Sequence, residues 1–264
     1  MDTTQSSQYL SPNPDGLLLA SDTRWAVLML HGFTSGPQSV FPWARALAHA
    51  GATVHVPLLS GHGTTVADLA QTRAGQWRRD VQRAIDTLLT QDFDRVAVAG
   101  LSMGGALALD VASHRPIDAT FVVNPALSFK FFDQLGVYLS PLMQRIVPTV
   151  GPLAGDVNKP GVTEYAYDRT PVAAVEQLSK LFRTVKRHLS TITSPVTLYW
   201  SHHDHIVPRS SAAILRKGVR SDLIRTVELE RSFHVATLDY EAATIHRDSI
   251  ARLLDLSGGR YETA

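Results

Sequence analysis

The sequence predicts an α/β protein: a mostly parallel central sheet with helices on both faces and a small cap inserted in the second half of the chain. Three observations carry this. Short, continuous apolar runs, Trp25 to Leu30 (WAVLML) the clearest, read as strands buried on both faces. These runs alternate with stretches whose apolar residues recur at helical spacing, which is the pattern of βαβ units. At the centre, residues 96–105 (VAVAGLSMGG) pass from a β-branched stretch through a small-residue turn straight into an Ala/Leu-rich helical stretch.

Composition narrows the function classes. With 264 residues, 44% apolar and 19% charged, the chain can bury one full core, so a single domain over 1–264 is expected, with 125–170 inserted in it as the cap. The net charge of +1 comes from scattered charges, and no nucleic-acid partner is expected. Absence of cysteine excludes disulfides, thiolate metal sites and a cysteine nucleophile. The opening residues, MDTTQSSQYLSPNPDG, have no basic region followed by an apolar core and read as a polar lead-in rather than a secretory signal. No run approaches the roughly 18–20 apolar residues of a membrane span. A cytoplasmic protein is expected, with at most transient contact with lipid surfaces.

Each element follows from local pattern. Leu17 to Ala20 forms a marginal edge strand, and Trp25 to Leu30 a central parallel one. Gln38 to Ala50 places Val40, Ala44 and Leu47 on one helical face and stops at Gly51, a residue suited to the left-handed helix end. Ala52 to Pro57 reads as a strand and LLSGHGTT as a loop. Ala74 to Thr90 carries Trp77, Val81, Ile85 and Leu88 at helical spacing among charges. Strand 95–100, the helix after Ser102 and strand Ala119 to Asn124 complete the first rhythm. From Pro125 to about Thr170, Pro and Gly punctuate an aromatic-rich stretch, including Phe129, Phe131, Phe132, Leu135 and Tyr138. Such an insertion suits a cap over the sheet's carboxyl edge, where ligands bind in open α/β sheets, although it also suits a helical excursion that covers core. The rhythm then resumes: helix Pro171 to Leu189, strand Val196 to Ser201, helix Ser210 to Lys217, strand Ile224 to Leu229, and helix Asp239 to Leu254 with Asp239 as its N-cap.

The chemistry centres on Gly100-Leu101-Ser102-Met103-Gly104, a G-x-S-x-G pentapeptide in strand–turn–helix context. Small residues let the turn hold Ser102 with its hydroxyl clear of the sheet, and the helix start aims the N–H of Met103 where an oxyanion would form. A second donor should come from the loop after the first central strand, His31-Gly32-Phe33, where Gly32 permits close approach and the N–H of Phe33 is the candidate. A base and its orienting acid are sought among 11 histidines, and position relative to the sheet separates them. Strand 196–201 runs into His202-His203-Asp204-His205, and strand 224–229 runs into Arg231-Ser232-Phe233-His234. Asp204 and His234 therefore pair naturally, and the chain order Ser102, Asp204, His234 is that of the α/β-hydrolases. In that arrangement His234 takes the serine proton while Asp204 fixes the imidazole tautomer. Asp204 could instead cap the helix that follows. The His202–His205 cluster lacks the spaced partners of a metal site, so no metal and no cofactor are expected.

Taken together, LHGFTSGPQS, LSGHGTT, GLSMGGAL, NPAL, PGVTEYAYDRTP, HDHIVP and SFHVATLDYE closely resemble bacterial monoacylglycerol lipases of the α/β-hydrolase fold, over roughly residues 25 to 256. The resemblance implies a carboxylic ester hydrolase that releases fatty acid and glycerol from monoglycerides, with a small cap roofing an acyl tunnel. By position it implies Ser102 as nucleophile, Asp204 and His234 as acid and base, and Phe33 and Met103 as oxyanion donors. It also implies that Glu164, in VTEYAY, binds the glycerol hydroxyls; without it, Glu164 reads as a surface charge. The chain departs from the family pattern in the cap, at Phe129-Lys130-Phe131-Phe132 and the Pro-rich stretch through Pro152. A triad alone does not choose an alcohol, so a short- or medium-chain carboxylesterase of broad specificity is the alternative, and a ligand-binding protein on the same fold is a third.

Overall fold

The computed structural model describes residues 16–21, 24–130, 147–220 and 222–258. The expected cap residues Phe131, Phe132, Leu135 and Tyr138, and the polar lead-in through Asp15, lie outside them.

Nine strands and seven helices are present among the described residues. The strands are β1 (Leu17–Leu19), β2 (Trp25–Leu30), β3 (Thr53–Val56), β4 (Arg95–Leu101), β5 (Ala119–Val123), β6 (Thr149–Val150), β7 (Thr170–Pro171), β8 (Val196–Ser201) and β9 (Ile224–Leu229). The helices are α1 (Phe41–His49), α2 (Val66–Gln71), α3 (Ala74–Leu89), α4 (Met103–Ala112), α5 (Val172–His188), α6 (Arg209–Gly218) and α7 (Ala242–Gly258). Seven strands form one sheet in the order β1-β3-β2-β4-β5-β8-β9, parallel throughout except for the edge strand β1.

The continuous apolar strands have the expected cause. Leu28, Leu30, Val98 and Leu198 pack on one face with Trp77, Leu107, Leu181 and Leu215 from α3, α4, α5 and α6. Val27, Met29, Ala99 and Phe121 pack on the other with Trp43, Leu47 and Ile245 from α1 and α7. Both faces of the central strands are thus removed from water, so apolar residues dominate both sets of alternating positions. Where Trp43 of α1 meets α7, its indole N–H donates to Ser249 Oγ at 2.9 Å.

Two expectations are corrected. The stretch after LSGHGTT is not loop alone, because α2 intervenes. Its signal is a capping box: the Asp68 N–H donates to Thr65 Oγ1, and the Thr65 N–H donates to Asp68 Oδ2. Nor does Asp239 cap the last helix, which begins three residues later. Its carboxylate instead accepts the backbone N–H groups of Asn158, Lys159, Phe233 and Tyr240 at 2.7–3.0 Å. Four backbone donors outcompete a single helix end.

The sheet order places the site. The chain lays β3 on one side of β2 and then crosses back to lay β4 on the other, so the carboxyl ends of β2 and β4 flank a switch point where open α/β sheets bind ligands. Their register, Trp25 opposite Arg95 through Leu30 opposite Gly100, brings the His31 and Ser102 loops out side by side.

Candidate active site

Ser102 stands between β4 and α4 at φ 56° and ψ −116°, a conformation a non-glycine residue adopts only when its surroundings impose it. They do. Its N–H donates to Val123 O at 3.0 Å, and its carbonyl accepts from the N–H groups of Ala106 and Ala126, each at 3.1 Å. The flanking glycines are required by contact. A Cβ on Gly100 would overlap the Gly104 carbonyl and stand 2.7 Å from Gly105 N, and one on Gly104 would overlap Leu30 O and stand 2.6 Å from His31 O. Gly32 is different: an added Cβ would sit 3.7 Å from Ser102 Cβ, in ordinary contact, so close approach does not itself demand glycine there.

Because Met103 is the first residue of α4, its N–H has no acceptor within the helix. Phe33 leaves β2 two residues behind buried His31, which anchors this loop. His31 Nδ1 donates to Gly32 O at 2.9 Å, while Nε2 accepts from Leu59 N–H at 3.2 Å, a pairing that needs the neutral ring. Burial, with His62 as a near neighbour, pushes the His31 pKa down to about 3. The His62 ring lies edge-on to His31 at 5.0 Å, and burial pushes its pKa down to about 4.

His234 Nδ1 lies 2.7 Å from Asp204 Oδ2, and both side chains are almost wholly buried. The other carboxylate oxygen of Asp204 accepts the N–H groups of Ile206 and Val207, each at 2.8 Å. Helix α6 starts at Arg209 behind Pro208 and receives no side-chain cap, so of the two roles weighed for Asp204 the capping one is not observed: one oxygen faces His234 and the other ties down its own loop. Burial alone would push the His234 imidazole down. The charge and hydrogen bond of Asp204, with the charges of Glu164 and Asp156, outweigh it and hold the pKa above the ordinary histidine value. Neighbouring histidines go elsewhere: His202 Nε2 to Glu228 and Glu230, and His205 Nδ1 to Asp156.

Glu164 is half-buried and accepts the Gly155 N–H at 2.9 Å. Burial raises its pKa above the usual carboxylate range against the Gly155 hydrogen bond and the charge of His234. Its segment is tied to the Phe33 side of the site, with Tyr167 N–H on Thr34 O at 3.0 Å and Gln38 Nε2 on Tyr165 O at 2.8 Å. Tyr167 Oη also donates to Gly61 O at 2.9 Å.

Ser102, His234, Glu164, Gly32 and Phe33 line one cavity of about 340 Å³, whose remaining wall is mostly apolar, with Phe129, Leu153, Val175, Leu178 and Phe182 prominent. Asp204 stands behind His234, and the Met103 side chain turns into the core while its backbone opens the helix. Reading the sequence missed two residues. Asn124, buried at φ 43°, donates from Nδ2 to His234 O at 2.8 Å and to Ser201 Oγ at 2.9 Å. Asp156 accepts the His234 N–H at 3.0 Å. Asn124 had a faint signal, a polar residue ending an apolar strand before proline; Asp156 had none.

A family model described as serine aminopeptidase, S33, matches residues 21–241. The chain is 37% identical over 225 residues to the thermostable monoacylglycerol lipase of Bacillus sp. (strain H-257), covering 85% of this chain and 88% of that one. It is 27% identical over 223 residues to a carboxylesterase of Bacillus subtilis (strain 168), covering 84% and 89%. A solved chain described with LipS and LipT, two metagenome-derived lipolytic enzymes, superimposes with a TM-score of 0.86 at 32% identity, over 92% of this chain and 98% of that one.

Proposed function

The chain belongs to the serine aminopeptidase S33 family, and from that premise we propose that it is a serine carboxylic ester hydrolase that cleaves monoacylglycerols to fatty acid and glycerol. The observation that carries this reading is the composition of a single cavity: Ser102, His234 and Glu164 line it together, and the rest of its wall is mostly apolar.

In this reading Ser102 Oγ attacks the ester carbonyl as His234 Nε2 accepts its proton. Asp204 holds Nδ1 and stabilises the imidazolium that forms. The N–H groups of Phe33 and Met103 receive the oxyanion of the tetrahedral intermediate. Collapse breaks the bond to the alcohol oxygen, His234 returns the proton to it, and glycerol leaves an acyl-enzyme. Water, deprotonated by His234, then releases the fatty acid. The acyl chain lies along Val175, Leu178 and Phe182 of α5. Glu164 accepts hydrogen bonds from the two free glycerol hydroxyls, groups that a triacylglycerol lacks. Residues 147–170 are read as part of the cap, and Val147 and Val150, partly exposed there, are where a lipid surface would be touched.

The test is fatty-acid release from mono-, di- and triacylglycerols of one chain length, with Ser102→Ala as control and Glu164→Ala assayed on monoglyceride and on the matching ethyl ester. The expectation is strong preference for the monoester, loss of activity to background in Ser102→Ala, and a loss in Glu164→Ala about tenfold larger on monoglyceride than on ethyl ester. Equal losses on the two esters would remove the glycerol role of Glu164. Comparable rates on all three glycerides would reduce the reading to a carboxylesterase of broad specificity, the activity named for the Bacillus subtilis relative.

A further inference from the structure

His234 is held at its backbone as well as at its ring. From the core side, Asn124 Nδ2 donates to the His234 carbonyl at 2.8 Å. From the cap side, Asp156 Oδ2 accepts the His234 N–H at 3.0 Å, and the same oxygen accepts the His205 N–H at 3.0 Å. The second oxygen, Oδ1, lies 2.8 Å from His205 Nδ1. His205 immediately follows Asp204, so one carboxylate, 12% exposed and nearly 80 residues from His234 in sequence, joins the loop that carries the acid to the loop that carries the base.

The joint is reinforced around Asp156. Its own carbonyl accepts the Val235 N–H at 3.0 Å. Two residues on, the N–H groups of Asn158 and Lys159 donate to the carboxylate of Asp239, which also accepts the Phe233 N–H beside the base. One residue before, the Gly155 N–H donates to Glu164. A five-residue cap segment therefore meets the base loop, the acid loop and the proposed glycerol ligand through directional, charge-assisted hydrogen bonds.

We infer that Asp156 is a positioning residue for ester hydrolysis: from the cap it fixes the His234 loop against the Asp204 loop, so the placement of the base depends on the seating of the cap. The inference rests on the proposed ester hydrolysis. The titratable groups around the base are Asp204 from the β8–α6 loop, Asp156 and Glu164 from the cap, and Asp239 from its own loop, with His205 across Asp156. Among them, Asp156 contributes negative charge that favours the protonated His234 ring as well as geometry at its backbone.

Two substitutions separate these contributions. Asp156→Ala removes both acceptor oxygens. It should lower kcat on an activated short-chain ester by about tenfold or more with little change in KM, because the base is misplaced and substrate binding is not. Asp156→Asn keeps an acceptor for the backbone N–H groups and removes the charge. It should retain more of kcat and move the acidic limb of kcat/KM to lower pH, since less negative charge near His234 means an easier loss of its proton. A ring-proton NMR titration of His234 in the same variant, which needs no turnover, should move in the same direction.

A folded Asp156→Ala protein with wild-type kcat, or with its loss confined to KM, would overturn the inference. If Asp156→Ala does not fold, the asparagine variant decides: an unmoved pH limb and an unmoved ring titration overturn it, and a downward shift of both supports it. If the wild-type chain hydrolyses no ester, the ester-hydrolase reading fails by itself, while the ring titration still reports whether Asp156 governs His234.

Discussion

Gly104→Ala is the sharpest test of how the site is built. The added methyl would overlap the Leu30 carbonyl oxygen and stand 2.5 Å from its carbon and 2.6 Å from His31 O, all backbone atoms at the end of β2 that cannot rotate away. Reaching ordinary contact near 3.4 Å requires α4 and the β2 end to part by about 1 Å. These two elements carry the Met103 and Phe33 N–H groups, so the separation falls on the gap between the proposed oxyanion donors. Overpacking of this kind costs about 1–3 kcal/mol, a melting temperature lower by about 3–9 °C at this chain length. Misplacement of one donor by that distance should lower kcat about 100-fold. Gly32→Ala provides the contrast: its methyl meets nothing closer than 3.6 Å, and the melting temperature should stay within about 2 °C of wild type. The assay is kcat on a soluble ester alongside thermal unfolding for both variants. If Gly104→Ala keeps wild-type kcat, or Gly32→Ala destabilises as much, the two strand ends do not set the donor geometry in this way.

Two further outcomes follow from strain and charge. Ser102→Gly should raise stability by about 1 kcal/mol while abolishing turnover, because glycine relieves the positive φ that serine is forced to adopt; a lower melting temperature would contradict the strain. The pH profile should place the acidic limb of kcat/KM above the ordinary histidine value of about 6.5, since His234 must lose its proton to act and its surroundings raise its pKa. The same shift has a stability sign. His234 binds its proton more tightly in the folded state, so its contribution is full below the ordinary value and is lost as pH rises through the raised one. A limb at or below 6.5 would mean that burial outweighs the surrounding carboxylates.

The legible part of this chain was whatever local pattern controls. Strands covered on both faces announce themselves as apolar runs, and G-x-S-x-G in strand–turn–helix context fixes Ser102 within a residue. The meeting of Asp204 with His234 was legible because parallel strands deliver their loops to one edge, so Ser201 and Leu229, paired across β8 and β9, had to release those loops side by side. Helix α2 was written in a capping box too short to register as a helical period. Asp239 shows the opposite failure: an aspartate before a helix satisfies the N-cap pattern, yet four backbone donors claim it, two from its own loop and two, Asn158 and Lys159, from far along the chain. Asp156 could not be read at all. Its partners lie 49 and 78 residues away, and an aspartate between glycine and valine carries no local sign of them.

The way the 147–170 segment is fastened has a consequence for how the proposed site divides a substrate. Along α5 the cavity wall is aliphatic and aromatic, and contacts of that kind tolerate sliding by a methylene or two. Around Gly155, Asp156, Glu164 and Tyr167 the segment is held by directional hydrogen bonds to Thr34, His234 and Asp239, which do not tolerate it. Ser102 lines the same cavity as both. In the proposed reaction the permissive wall receives the acyl chain and the rigid one receives the alcohol. Chain length should therefore be graded loosely, while the number of free hydroxyls on the alcohol should be read sharply, because an unmatched carboxylate in a half-buried pocket costs more than a misplaced methylene.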